Sequence, residues 1–371
     1  MSSFSDFDLL PTLQTTLGEK SLVKPTEIQN RALPALLAGR SVVGVAETGS
    51  GKTLAYALPV LHKLKSLENS GDRITVEGRP RAVVIVPTRE LGEQVSRVFK
   101  PFTHTTRLRI RTVLGGTTLE VAKRNIQGAF EVLVATPGRV VKLLDRRLID
   151  FSDVRFLIFD ETDQMLDQGF LPDATRIVGA CPPRRQMALF SATVSTSVQA
   201  MIQNLFSGVE VIRSEGSHRV VATLTTKNRI VPDGKRLPML ETLLREKVAG
   251  GTLLFTNTRE QCDKLAEAVV SKGFKCVVYR GEMDKVERRA NLKKFRDGSV
   301  DLLISTDLAS RGLDIEHVGR VINYHLPEQM ENYIHRVGRT ARAGRKGTVI
   351  NFVTERDEPL MAQFKSVQPR S

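Results

Sequence analysis

The sequence predicts an α/β chain of two domains, each a mostly parallel sheet flanked by helices. Three observations predict it. Short apolar runs alternate with longer helical stretches, the pattern of strands buried on both faces. The runs fall into two groups with a polar segment between them. The chain has 371 residues, the length of roughly two domains or slightly more.

The elements follow in order. Ser41–Ala46, Ala82–Val86, Val132–Ala135, Phe156–Phe159 and Met187–Phe190 read as the strands of the first group. Each is built from Val, Ile, Leu, Phe or Ala and ends at a polar or turn residue. Leu54–Leu64 reads as a helix straight after the glycine-rich turn that follows the first strand. The second group supplies Thr252–Phe255, Cys276–Tyr279, Leu302–Ser305, Val321–Tyr324 and Thr348–Val353. Between the groups, the polar stretch from Ser214 to Arg219 contains Gly216. It places a linker at 214–223, an N-terminal domain at 1–213 and a C-terminal domain at 224–371.

Composition narrows the function. The balance of 41% hydrophobic and 26% charged residues excludes a disordered chain, a collagen or a coiled coil. No apolar run approaches the roughly 18 residues that cross a bilayer, so no membrane partner is expected. The start, Met1 to Asp8, is polar and acidic and lacks the features of a secretory signal. Cys181, Cys262 and Cys276 have neither CxxC spacing nor a histidine cluster, so disulfides and structural zinc are not expected. A reducing, cytoplasmic compartment fits. The net charge is +14, with +6 on residues 1–213 and +8 on 214–371. Such a balance suits a polyanion, with nucleic acid the first candidate.

Three segments carry chemistry. The run Ala46, Glu47, Thr48, Gly49, Ser50, Gly51, Lys52, Thr53 sits between a strand and a helix. In that context Gly49 and Gly51 let backbone N–H groups wrap phosphate oxygens at a helix N-terminus. Lys52 neutralises the β- and γ-phosphates, and Thr53 ligates Mg2+. The general pattern has Gly at the first position, where this chain has Ala46. Asp160, Glu161 and Asp163 follow a strand at its C-terminal end, where ligands of open α/β sheets bind. Asp160 is the expected second Mg2+ ligand and Glu161 the residue that directs the attacking water. The run from His335 to Arg342 is basic. A basic run by itself is a solvated face. On a helix, however, Arg339 and Arg342 share one side and suit an arginine-finger role toward a γ-phosphate.

These residues resemble the DEAD-box RNA helicases, from Phe4 to about Arg345. The resemblance implies two RecA-like domains, ATP and Mg2+ as cofactors, and RNA as partner. It makes Pro25–Gln29 the adenine-reading motif, with Gln29 on the base and Phe4 stacked against it. The phosphate loop takes the family's AxTGSGKT form, which accounts for Ala46. Pro87, Thr88 and Arg89, Gly115 and Gly116, and Thr136, Pro137, Gly138 and Arg139 become RNA-contacting residues. Asp163, Ser191, Thr193, Arg311 and His335 become coupling residues between ATP state and RNA. Thr306 is implied near an RNA phosphate and Asp314 near the ribose of ATP. Arg339 and Arg342 match the arginine-finger motif.

Several positions depart from the family pattern. Thr162 replaces Ala, Ser21 and Leu22 replace Gly and Phe, Lys285 replaces Gln, and Ala341 replaces Gly.

Arg89, Arg139 and the Thr and Gly N–H groups at strand ends suit backbone phosphates more than base edges. Aromatic residues are 5% with no Trp, a poor supply for base stacking. Binding independent of sequence is therefore expected. The reading is a minimal, bacterial-type, monomeric ATP-dependent RNA helicase whose two domains close on ATP and RNA and open short duplexes locally. Ribonucleoprotein, RNA-decay or ribosome-assembly factors are the expected partner proteins. An ATP-gated RNA clamp and a double-stranded DNA translocase are the alternatives.

Overall fold

The computed structural model describes residues 3–47, 49–74, 76–206, 209–214, 224–307, 315, 318–341, 346–357, 360 and 361. It divides into two compact units, 1–217 and 218–371. Strand β7 ends at Arg213, one residue before the described part of the first unit stops, and β8 opens the described part of the second at Leu224. The expected linker at 214–223 lies outside the described residues, Ser214 apart.

The first unit is built on a seven-stranded sheet in the order β3-β4-β2-β5-β6-β1-β7. Its strands are β1 (Val42–Val45), β2 (Ala82–Ile85), β3 (Ile110–Val113), β4 (Val132–Ala135), β5 (Phe156–Phe159), β6 (Gln186–Ser191) and β7 (Glu210–Arg213). All neighbours run parallel. The alternation of a pleated strand sends neighbouring residues into two cores. Val42, Val84, Ile158 and Phe190 pack on one face of the sheet. Val43, Val83, Leu157 and Leu189 pack on the other.

Register then aligns the strand ends. Ile85 pairs with both Ala135 and Phe159, Val113 with Ala135, and Val45 with Ser191. The loops after β1, β2, β3, β4, β5 and β6 consequently leave one edge of the sheet side by side. These loops hold every functional segment expected in the first unit beyond Gln29 and Phe4.

The second unit has a six-stranded sheet in the order β10-β11-β9-β12-β13-β8. Its strands are β8 (Leu224–Ile230), β9 (Gly251–Thr256), β10 (Val277–Tyr279), β11 (Leu302–Thr306), β12 (Val318–Asn323) and β13 (Gly347–Val353), again all parallel. All ten expected strands form. Three strands were not expected: β3, β7 and β8.

Candidate functional site

The phosphate loop links β1 to helix α3 (Lys52–Asn69). Gly49 and Gly51 stand at φ +85° and +90°, the left-handed region that glycine enters without penalty. A Cβ at Gly51 would fall 2.3 Å from Gln29 Nε2, so a side chain there would displace the Gln29 amide. Lys52 is buried and donates to the Ala46 carbonyl at 2.9 Å and the Glu47 carbonyl at 3.4 Å. Its Nζ also pairs with Glu161 Oε1 at 3.2 Å. Burial works against the ammonium charge, but the carboxylates of Glu161, Asp160 and Asp163 outweigh it and raise the pKa. Burial raises the Glu47 carboxyl, against the pull of Lys52. Ser50 Oγ is buried without a hydrogen-bond partner. Thr48 lies outside the described residues.

Helix α2 (Glu27–Leu37) brings Gln29 to this loop. Gln29 Oε1 accepts from Thr26 N at 2.8 Å, and Nε2 donates to the Gly51 carbonyl at 3.0 Å. A Gln amide has two donor and two acceptor sites, so one of each remains for a base. Phe4 is 2% exposed and belongs to the hydrophobic core. The reason is local: Phe4 N donates to the Val23 carbonyl at 3.0 Å and Phe7 packs beside the ring at 6.3 Å.

The acidic segment leaves β5 at the same edge. Glu161 has φ +50° and caps helix α7 (Thr162–Asp167). Asp160 Oδ2 accepts from the Tyr56 hydroxyl at 2.8 Å, and Oδ1 accepts from Glu161 N at 3.0 Å. Burial and the neighbouring Glu161 charge push the Asp160 pKa up to about 6, against Lys52 and Tyr56. Asp163 and the Ser191–Thr193 segment are in direct contact. Asp163 Oδ2 accepts from Ala192 N at 3.1 Å, Thr193 N at 2.9 Å and Thr193 Oγ1 at 3.1 Å. Asp163 N donates back to Ser191 Oγ at 3.2 Å. The unusual Thr162 is fully buried, and its hydroxyl donates to the Phe190 carbonyl at 3.2 Å. The extra polar atom is thus satisfied where it stands.

Three neighbouring loops form a second group. Thr88 caps helix α4 (Arg89–Thr106), accepting from Leu91 N at 3.3 Å. Thr136 precedes helix α6 (Pro137–Asp145) at its N-terminus. Gly115 and Gly116 lie in the loop after β3, Gly116 at φ +80°. Because β2, β4 and β3 are adjacent, Pro87–Arg89, Thr136–Arg139 and Gly115–Gly116 come together. Helix N-termini with arginines in their first turn suit an anionic backbone. Arg89 Nε is engaged with Glu93 at 2.9 Å, and Arg139 donates to the Thr117 carbonyl, tying the glycine loop to α6.

In the second unit Thr306 closes β11 and is 6% exposed. Arg311, Asp314 and Arg342 lie outside the described residues. The helical spacing expected for Arg339 and Arg342 is corrected. Helix α13 (Met330–Val337) stops at Gly338, and the chain then turns through Arg339 to Ala341 at φ +57°. Arg339 is buried, its Nε donating to the His335 carbonyl at 3.2 Å. His335 is buried as well.

Sequence reasoning missed Arg336. It is 1% exposed, binds Asp307 through two hydrogen bonds of 2.5 and 2.7 Å, and lies over the Phe255 ring at 5.0 Å. It also donates to Asn257 Oδ1 at 2.8 Å and to the His325 carbonyl at 2.6 Å. It gathers the ends of β9, β11 and β12 beneath the basic run.

Comparison with known proteins agrees with this arrangement. A family model for DEAD/DEAH box helicases matches residues 26–201, and one for the helicase conserved C-terminal domain matches 235–344. The DEAD-box ATP-dependent RNA helicase RhpA of Helicobacter pylori is 36% identical over 353 residues, covering 95% of this chain and 70% of that protein. The ATP-dependent RNA helicase DeaD of Mycobacterium tuberculosis is 33% identical over 361 residues, covering 97% of this chain and 62% of that protein. Among solved structures, S. cerevisiae Dbp5 bound to RNA and ADP BeF3 matches with TM-score 0.84 and 27% identity, over 100% of this chain and 96% of that one. A DEAD box protein from Methanococcus jannaschii matches with TM-score 0.54 and 28% identity, over 99% of each chain. Two RecA-like domains with these motifs in this order place the chain in the DEAD-box ATP-dependent RNA helicase family.

Proposed function

We propose that the protein hydrolyses ATP, binds RNA along its backbone without sequence preference, and uses the nucleotide cycle to open short RNA duplexes. The observation that carries this reading is the buried cluster of Lys52, Asp160, Glu161 and Asp163, bonded through Asp163 to Ser191–Thr193. Lys52 with the N–H groups of Gly49, Ser50 and Gly51 takes the phosphates, and Gln29 takes the adenine edge. Lys52 now pairs with Glu161. Turning its ammonium to a phosphate releases that carboxylate to direct a water molecule, so phosphate binding itself readies the base.

The residues present fit a magnesium ion. Thr53 and Asp160 supply hard oxygen ligands beside the phosphate loop, and Ser50 Oγ adds an unpartnered polar atom to it. Among the described residues no cluster of three or more His, Cys, Asp or Glu could hold a metal ion by itself. Magnesium would take its other ligands from phosphate and water. When bound it would neutralise phosphate charge. Asp314 is assigned to the ribose, Arg339 and Arg342 to the γ-phosphate charge, and Arg311 and His335 to coupling. Pro87–Arg89, Gly115–Gly116, Thr136–Arg139 and Thr306 are assigned to RNA. A monomer in a reducing cytoplasm completes the proposal; Cys181 and Cys262 are buried and free.

The test is strand separation on RNA and DNA duplexes of equal sequence, with ATP, using the wild type and Glu161→Gln. The expected result is RNA unwinding that Glu161→Gln abolishes. RNA retained without unwinding would favour a clamp, and DNA unwound in preference would favour a translocase.

A further inference from the structure

Lys52 and Tyr56 are four residues apart on α3 and leave the helix on one side. That side meets two successive residues after β5. Lys52 Nζ lies 3.2 Å from Glu161 Oε1, and the Tyr56 hydroxyl donates to Asp160 Oδ2 at 2.8 Å. Successive residues of an extended chain point to opposite faces. The left-handed turn at Glu161, φ +50°, is what lets both carboxylates face one helix. Thr53 lies on the same helix, three residues before Tyr56 and so on the same side. Tyr56 is therefore bonded to one residue assigned to the cation, Asp160, and stands one helical turn from the other, Thr53.

Packing explains the ring but not its hydroxyl. Tyr56 is 1% exposed, with Phe99 at 6.2 Å and Phe190 at 5.4 Å between ring centres. A phenylalanine would fill the same space. The hydroxyl and Glu161 N each occupy one site on the Asp160 carboxylate. An ionised carboxylate has about four such sites, so each oxygen keeps one free.

We propose that Tyr56, which belongs to none of the motifs above, is a positioning residue. Its hydroxyl fixes the Asp160 carboxylate in the geometry that receives the cation. The proposal rests on the assignment of Thr53 and Asp160 as magnesium ligands. It accounts for a buried hydroxyl held against a ligand residue on another element.

The experiment is a magnesium titration of the affinity for a fluorescent ADP analogue, on full-length wild type and Tyr56→Phe, repeated in EDTA. Partners behind metal ligands typically carry 10–100-fold in metal affinity. The half-saturating magnesium concentration should rise about tenfold in Tyr56→Phe, while affinity in EDTA stays within about twofold, the result a positioning role requires. Urea unfolding of the same samples separates a stability loss from the metal effect. In an Asp160→Asn background, Tyr56→Phe should shift nothing further, and an equal shift there would count against the proposal. A magnesium-dependent wild type with an unshifted Tyr56→Phe overturns the positioning role alone. A wild type indifferent to magnesium overturns the ligand assignment and the proposal with it.

Discussion

Ser21 and Ala341 hold backbone that glycine would hold freely, at φ +55° and +57°. Both stand where the family resemblance expects Gly, so the sequence showed the departures but not their conformations. A non-glycine residue pays about 1–2 kcal/mol there, and glycine gives back about 0.4–1 kcal/mol through the freer unfolded chain. Ser21 is exposed, so Ser21→Gly loses no packing and should stabilise by about 0.5–1 kcal/mol. Ala341 is 5% exposed, and its buried methyl is worth about 0.8 kcal/mol. Ala341→Gly should therefore change stability little. Urea unfolding of both variants checks the contrast, and a destabilised Ser21→Gly would refute it. Thr162 teaches the complementary lesson. Sequence showed a hydroxyl where the family pattern has Ala, and carbonyls on β5 and β6 receive it.

Interior strands were legible because they are apolar on both faces, whereas β3, β7 and β8 all lie at sheet edges. An edge strand has one neighbour and tolerates charge, as Arg111, Glu210 and Lys227 illustrate. The edge strand β10 was found because Val277, Val278 and Tyr279 remain apolar. The phosphate loop and acidic segment were legible because each is contiguous. Arg336 was not, since its partners Asp307 and Asn257 lie 29 and 79 residues away in sequence. Its burial against Asp307 makes it structurally costly to change. Breaking a buried ion pair costs about 3–5 kcal/mol, and a lysine cannot reproduce the guanidinium fork. Arg336→Lys should destabilise the second unit by about 3 kcal/mol. Hydrogen exchange on the full chain should show faster opening of β9 and β12, with β1 and β5 unchanged. Protection equal to wild type in β9 and β12 would show that the fork is dispensable.

At the scale of the whole molecule the charge of +14 is spread over both halves, +6 and +8, so RNA affinity should depend steeply on salt. For single strands log K falls with log salt by about 0.7 per neutralised phosphate. Arg139 makes that slope informative, because the structure gives the residue a second occupation. It tethers the glycine loop by donating to the Thr117 carbonyl, and a tether and a phosphate contact respond differently to substitution. A phosphate contact depends on charge, so Arg139→Ala should weaken all single-stranded sequences alike and flatten the slope by about 0.7. Arg139→Lys should keep most of the slope. A tether depends on the guanidinium geometry instead, so both variants would lose affinity while the slope stayed at the wild-type value. The phosphate assignment expects the first pattern. Unaltered slopes in both variants would move Arg139 from the RNA-contacting residues to those that shape the loop. The RNA contacts in the first unit would then rest on Arg89, Thr136 and the backbone of Gly115 and Gly116.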